Sequence, residues 1–510
     1  MTFRLILPAV AAAVTAASGP ALASYGFYVG KDLSETGGVL IGGTGEEVSS
    51  HWLEIVPAQT HGNDATVSVG VTDEASMPGE LIDIPQAAET FRYLTMNYSD
   101  YQGFPAPLTN GGINQHQVAV RDIWATNRSD LTDMTPNPQR GPQYSDLARL
   151  VLERATTARE GVELIGELIA EHGYSTYGGN THLIADPNEA WVVWEFSGGQ
   201  GLWAAERLEP DEVRVLYPGY IEDFPLDFEE SEDFMGAPNL ISFAEEQGWF
   251  DPDTTDTFNV FDVYGPQDGR KARTGGYKYM SQADIEDELK EMAPVSEREM
   301  MDMVRDPRVA DDEAGYGQVA SLEKGTDPDM IQIWVAPTGS VTAPFIPWYL
   351  GVQDVPPEYG MHRYLTKGAA SSFLNPDYQL QESTDFAGRT FKQVLYYTCS
   401  DPDTYLDPVV SYLEGFEEDS FEDQEWVEIS AQTLIDNDQR AAAQTMLTHY
   451  STGRAMEALD LGETIKDALG VHIELSGAFR DPETAQINDP GGETPNCLAS
   501  ANPDKPADQQ

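Results

Sequence analysis

From Ser24 onward the chain alternates. Tyr25, Phe27 and Val29 share one side of an extended segment, with small or polar residues on the other, and Gly37-Gly38 then turns the chain into Val39-Leu40-Ile41. Period-two patterning around a glycine turn predicts an opening β-hairpin. Further short strands are expected at 52–56, 66–71 and 113–120. Between 144 and 172 the period changes. Leu147, Leu150, Val151, Ala155, Ala158, Val162, Ile165 and Ile169 recur mostly at three- and four-residue steps, the apolar stripe of one long helix ending at His172-Gly173. Adjacent strands are expected at 181–185 and 190–196 around Asp186-Pro187-Asn188, and another at 213–216. The run 233–249 reads as helical. So do the 280s and 290s, where Ser296 and Glu299 sit at capping-box spacing. A strand is expected at 331–336, 400–470 is mainly helical, and the last thirty residues, rich in Pro, Asp, Asn and Gln, read as a loose tail.

Strands and helices follow one another without a βαβ rhythm. No glycine-rich dinucleotide or P-loop motif stands where a cofactor would need it. The order suits antiparallel sheets with helices outside them, in one domain over residues 24–475 with a tail at 476–510. Residues 1–23 have Arg4 at their positive end, an apolar stretch from Leu5 to Ala17 and a small-x-small site at Ala21-Leu22-Ala23. This is the pattern of a secretory signal peptide, so the expected location is periplasmic or extracellular, with no stable membrane anchor.

Charge narrows the partners further. The chain has 29 Lys and Arg against 86 Asp and Glu, a net charge of −57. Such a field repels phosphate backbones, which excludes nucleic acid, and makes an anionic membrane a poor partner. The acid is spread along the chain rather than gathered in one tail. The eight histidines do not pair at metal-ligand spacing, and no His-Glu-x-x-His or Gly-x-Ser-x-Gly occurs, so no metal or cofactor is expected. Cys399 and Cys497 can form one disulfide, but their spacing does not show that they meet.

The expected cleavage leaves Ser24 as the new N-terminus at the start of the first strand. An N-terminal serine carries its own base, since its α-amine has a reference pKa of about 7.7–8.0 and lies beside the hydroxyl. That arrangement supports acyl transfer without a distant histidine.

Several stretches together carry a family resemblance. They include Val29-Gly30-Lys31 with Ser34 and Gly37, Gly112-Ile113-Asn114-Gln115-His116 followed by Val118-Ala119-Val120, and Thr157-Ala158-Arg159-Glu160. Gly179-Asn180 leads through Ala185-Asp186 to Glu189-Ala190-Trp191, and Trp203 to Arg207, Leu240-Ile241-Ser242 and Pro347-Trp348-Tyr349 continue the order. In this order the chain resembles the C69 dipeptidases, relatives of the secernins among the N-terminal nucleophile hydrolases. The resemblance implies an α+β fold, a four-layer αββα sandwich with helical additions. It also implies hydrolysis of dipeptides or small amides by a processed N-terminal cysteine, at whose position Ser24 stands.

The match is incomplete at the site. Gly43 stands where the family has an arginine, Glu46 is the candidate for its aspartate, and Tyr217-Pro218-Gly219 replaces a stretch where the superfamily often carries an oxyanion-hole asparagine. Asn114, Asn127 and Asn180 are candidate amide donors, and Arg121 is the candidate source of positive charge. The expected catalytic set is therefore Ser24, Glu46, Asn114, Asn180 and Arg121, acting on a small peptide or amide. Two other readings stand beside it: hydrolysis of another acyl compound, and a noncatalytic peptide- or metabolite-binding protein on a degenerated hydrolase scaffold.

Overall fold

The structure, a computed structural model, describes residues 24–45, 51–100, 102–255, 257–273, 281–310, 314–362 and 383–476. The expected leader at 1–23 and the tail beyond residue 476 lie outside the described residues, as do Glu46 and Cys497.

The opening hairpin forms as its alternation requires. β1 (Gly26–Val29) pairs antiparallel with β2 (Val39–Gly45), Gly26 opposite Gly43 and Val29 opposite Leu40. Twelve further strands complete two main sheets: β3 (His51–Val56), β4 (Tyr93–Tyr98), β5 (Leu108–Asn114), β6 (Ala119–Trp124), β7 (Asn180–Ala185), β8 (Ala190–Glu195), β9 (Trp203–Leu208), β10 (Val213–Leu216), β11 (Phe234–Gly236), β12 (Tyr316–Leu322), β13 (Gln332–Ala336) and β14 (Ile346–Tyr349). The first sheet runs β10-β1-β2-β12-β13-β14, with β1 inside it. The second runs β11-β9-β8-β7-β6-β5-β4-β3, an antiparallel meander in chain order.

The sheets face each other across one apolar core, to which β1 gives Tyr28 and the second sheet gives Ile123, Leu183, Val192 and Trp194. A Cβ on Gly26 would stand 2.9 Å from Ile123 Cδ1, so the absent side chain lets the sheets approach there. Helices cover the outer faces. α1 (Tyr144–Arg154) and α2 (Ala158–His172) lie on the second sheet, burying Leu147, Val151, Val162 and Ile165 against Val120, Ile184, Trp191 and Val193. On the first sheet, α3 (Gln282–Met292) packs against β10 and α4 (Glu297–Arg305) against β2 and β12. Three C-terminal helices, α5 (Ala387–Thr398), α6 (Pro402–Asp436) and α7 (Arg440–Ser476), pack together, and α7 seals β14. The layers are therefore αββα, the α+β architecture that the resemblance implies.

Three expectations need correction. The strand read at 113–120 is two strands, β5 and β6, joined by a tight turn. Asn114 builds that turn, its Oδ1 accepting from the backbone N–H of His116 and Val118 at 2.9 and 3.0 Å, and Gln117 takes a positive φ of 59°. The long helix breaks at residues 155–157. Ala155 is extended, and the Thr157 hydroxyl accepts from the Glu160 N–H to start a new helix. The run 233–249 begins as the edge strand β11 and becomes helical only at Leu240–Gln247. The Ser296–Glu299 capping box forms as expected.

Candidate active site

Ser24 is 3% exposed and leads directly into β1. The hairpin extends back to it through Tyr25, whose N–H donates to Thr44 Oγ1 and whose carbonyl accepts from the Thr44 N–H, both at 3.2 Å. Residues two apart in an extended chain share a face. Ser24 thus shares the face of Gly26, which looks into the sandwich toward β6. Tyr25 takes the opposite face with Phe27, and its ring stacks on Tyr217 at 4.1 Å between centroids. The Tyr217-Pro218-Gly219 segment, read as a departure from the family pattern, therefore forms an aromatic wall beside the first residues. Gln282 on α3 and Trp124 at the end of β6 hold it, through the Pro218 carbonyl and the Gly219 N–H.

Gly43 has φ +146°, and a Cβ there would overlap the Tyr25 carbonyl oxygen and stand 3.2 Å from Arg121 Nε. The arginine that the family places at this point is absent, but a guanidinium occupies the space from another direction. Arg121 projects from β6 and is 2% exposed. Its Nη2 donates to the Thr44 carbonyl and its Nη1 to Gln318 Oε1 on β12, each at 2.6 Å. It also lies 5.3 Å from the centroid of the Tyr316 ring. Arg121 therefore spans the gap between the two sheets beside the hairpin that begins with Ser24.

A polar relay continues from Tyr316. Its hydroxyl donates to Asn110 Oδ1, and Asn110 Nδ2 donates to Asp122 Oδ2 at 3.1 Å. Asn180 Nδ2 donates to the other Asp122 oxygen at 2.5 Å, while its own oxygen accepts from the Tyr177 hydroxyl at 2.7 Å. Asn180 thus orients the aspartate next to Arg121 in sequence. Asn114 plays a different part. Its amide donates to the carbonyls of Leu152 on α1 and of Ala155 just after it and accepts within its own turn, so its hydrogen-bonding capacity goes to joining β5 to the end of α1. Asn127 holds the Ser197 N–H at 2.6 Å.

Behind the second sheet, His182 and Glu195 form a fully buried pair, Nδ1 to Oε1 at 2.7 Å, and His182 Nε2 donates to the Tyr144 carbonyl at 3.0 Å. Burial opposes charge on both, yet the contact with Glu195 raises the imidazole pKa, and burial pushes the Glu195 carboxyl up. The pair retains a proton between them. Asp122 lies directly across the β6–β7 pair from His182, which ties this pair to the relay. Neither Asn110, Gln318 nor the His182–Glu195 pair was singled out from the sequence. Their partners lie up to 206 residues away, so no local spacing marks them.

No group of three or more metal-ligating side chains occurs among the described residues. Cys399, at the C-cap of α5, carries a disulfide.

This site sits on the fold of a two-sheet sandwich whose first strand starts at the candidate nucleophile. The sequence profile of Peptidase family C69 matches residues 27–281, half of the chain, and the chain belongs to that family. Among curated relatives, a probable dipeptidase B of Streptococcus pyogenes serotype M3 is 24% identical over 252 residues, 49% of this chain and 48% of the relative. One from Lactococcus lactis is 34% identical over 132 residues, 25% and 26% of the two chains. The match thus spans about half the length of the first of these relatives. Of solved structures, a penicillin V acylase from Agrobacterium tumefaciens aligns over 64% of this chain and 86% of its own, at 12% identity and TM-score 0.34. A mutant conjugated bile acid hydrolase from Clostridium perfringens aligns over 62% and 89%, at 12% identity and TM-score 0.32.

Proposed function

We propose that this protein is an exported amidohydrolase that cleaves dipeptides or small amides, with Ser24 as nucleophile once residues 1–23 are removed. Membership of the C69 family and relatives named as probable dipeptidases support the reaction class. The observation that carries the assignment is the position of Ser24. It heads β1 on the face turned into the sandwich, beside a hairpin glycine that lets the Arg121 guanidinium approach.

In this reading the free α-amine takes the Ser24 hydroxyl proton as Oγ attacks the amide carbon. The amine then protonates the leaving nitrogen, and water hydrolyses the remaining ester by the same route. A nearby cation disfavours a second positive charge, so Arg121 helps keep the amine neutral and basic. A serine hydroxyl is far less acidic than a thiol, which makes this base more necessary here than in a cysteine enzyme.

Steady-state hydrolysis of a dipeptide panel by the exported protein tests the proposal. Ser24→Ala, checked for correct processing and folding, should lose about 10³-fold or more in kcat/KM, while Ser24→Cys should retain turnover. Turnover unchanged in Ser24→Ala would overturn the assignment. Absence of turnover with retained tight peptide binding would favour the noncatalytic reading.

A further inference from the structure

The last turns of α7 lie beside the end of α5. A Cβ on Gly470 would stand 3.4 Å from Tyr397 Cε2, and the ring of Tyr405 at the start of α6 meets His472 edge-on, 5.5 Å between centroids. Cys399, at the C-cap of α5, falls between these two tyrosines in sequence and carries a disulfide. The chain has two cysteines, and the other is Cys497.

The surface at this end of the helical layer is unlike the rest. Leu475 is 83% exposed, more than any other large apolar side chain among the described residues, and Val471, one turn earlier, is 61% exposed. Leaving two such side chains of one helix face in water forfeits their burial. Ile473 lies between them in sequence and is 1% exposed, yet it belongs to none of the apolar clusters of the described residues. The apolar core therefore does not account for its cover.

We propose that Cys399 pairs with Cys497, and that this bond holds residues 477–496 back over the Val471–Leu475 face of α7. The segment carries the side chains that such a face needs. Phe479 stands four residues after Leu475, and Ile487 is the other large apolar residue before Cys497, in a stretch otherwise rich in Pro, Gly, Asp and Asn. Twenty residues reach about 66 Å when extended, far more than a return to a cysteine beside the end of α7 requires. The slack is enough to cross the face and come back. Pairing oxidises two thiols to one disulfide, and the two electrons and two protons pass to a disulfide oxidoreductase. The clasp thus closes in an oxidising compartment, the location expected from residues 1–23, and stays open in a reducing one. It stands apart from the hydrolase reading, because α5 and α7 belong to the helical layer outside the first sheet.

Full-length protein exported with its own leader is alkylated without reduction, and its disulfide is mapped by mass spectrometry. The expected result is one cross-linked peptide pair joining Cys399 to Cys497, from a species that runs as a monomer on non-reducing gels. Cys497→Ser should lower Tm by about 2 °C or more. It should also speed trypsin cleavage after Arg480 about tenfold, since an open tail is cut more often than a held one. Leu475→Ser, at an exposed position, should leave the bond intact and speed the same cleavage about threefold. Two free thiols, or a bond between two copies of the chain, would overturn the pairing. Cleavage after Arg480 that is unchanged in Leu475→Ser would overturn the docking.

Discussion

At Gly43 the chain lacks the arginine of the family pattern, and the Arg121 guanidinium lies against the glycine. A glycine where the family has an arginine is visible in the chain itself. That Arg121 fills the space is not, because its contacts reach 77 residues back to Thr44 and 197 forward to Gln318. Restoring the family residue should therefore fail. Gly43→Arg would need an L side chain at φ +146° and would drive its Cβ into the Tyr25 carbonyl. Such backbone strain costs about 1–3 kcal/mol before the clash is counted. Thermal melts should show Gly43→Ala and Gly43→Arg both strongly destabilised, with activity falling alongside. A Gly43→Arg variant of unchanged Tm and higher activity would contradict this placement. Asn114 teaches the converse lesson: a residue in a family motif, readable as a donor, is committed to a turn and to α1.

At the scale of elements, local signals were readable where chemistry was local. The β1–β2 hairpin followed from alternation, and the start of α4 from Ser296 and Glu299. The break between α1 and α2 was also written locally, as Thr157-x-x-Glu160, but the continuous apolar stripe concealed it. The β5–β6 turn was harder to see, since an asparagine side chain and a positive φ at Gln117 replace the expected glycine. A titratable group at the start of α4 gives a test of the packing. Glu297 Oε1 accepts from the Ser321 N–H on β12 at 3.1 Å, and burial, with Glu323 and Glu428 nearby, pushes its carboxyl up to about 7. The folded protein thus holds this proton more tightly than the unfolded chain. Its stabilising contribution is complete below the ordinary glutamate range and is lost as pH rises through about 7. Glu297→Gln keeps the acceptor and removes the charge. It should raise Tm by about 2 °C or more at pH 8 and leave it nearly unchanged at pH 4. An equal shift at both pH values would show that the effect is not the charge.

The proposed site lies between two sheets that come from distant parts of the chain. The first sheet brings Ser24, Thr44 and Gln318, and the second brings Arg121 and Asn110, with Asn180 on its far face. Strand periodicity was enough to anticipate sheets with helices outside, and the family motifs were needed to anticipate four layers. Neither shows which side chains meet across the gap, because the meeting depends on how β6 stacks over β1 and β2. The acidic balance, for its part, describes the surface and not the candidate site, where Arg121 is a buried cation. The proposed chemistry depends on a free amine at Ser24. The most direct test is the N-terminal residue of the exported protein, read by terminal sequencing with intact mass. A free Ser24, with loss of residues 1–23, is the predicted result. A mature chain that begins elsewhere, or a blocked Ser24 amine, would contradict the account.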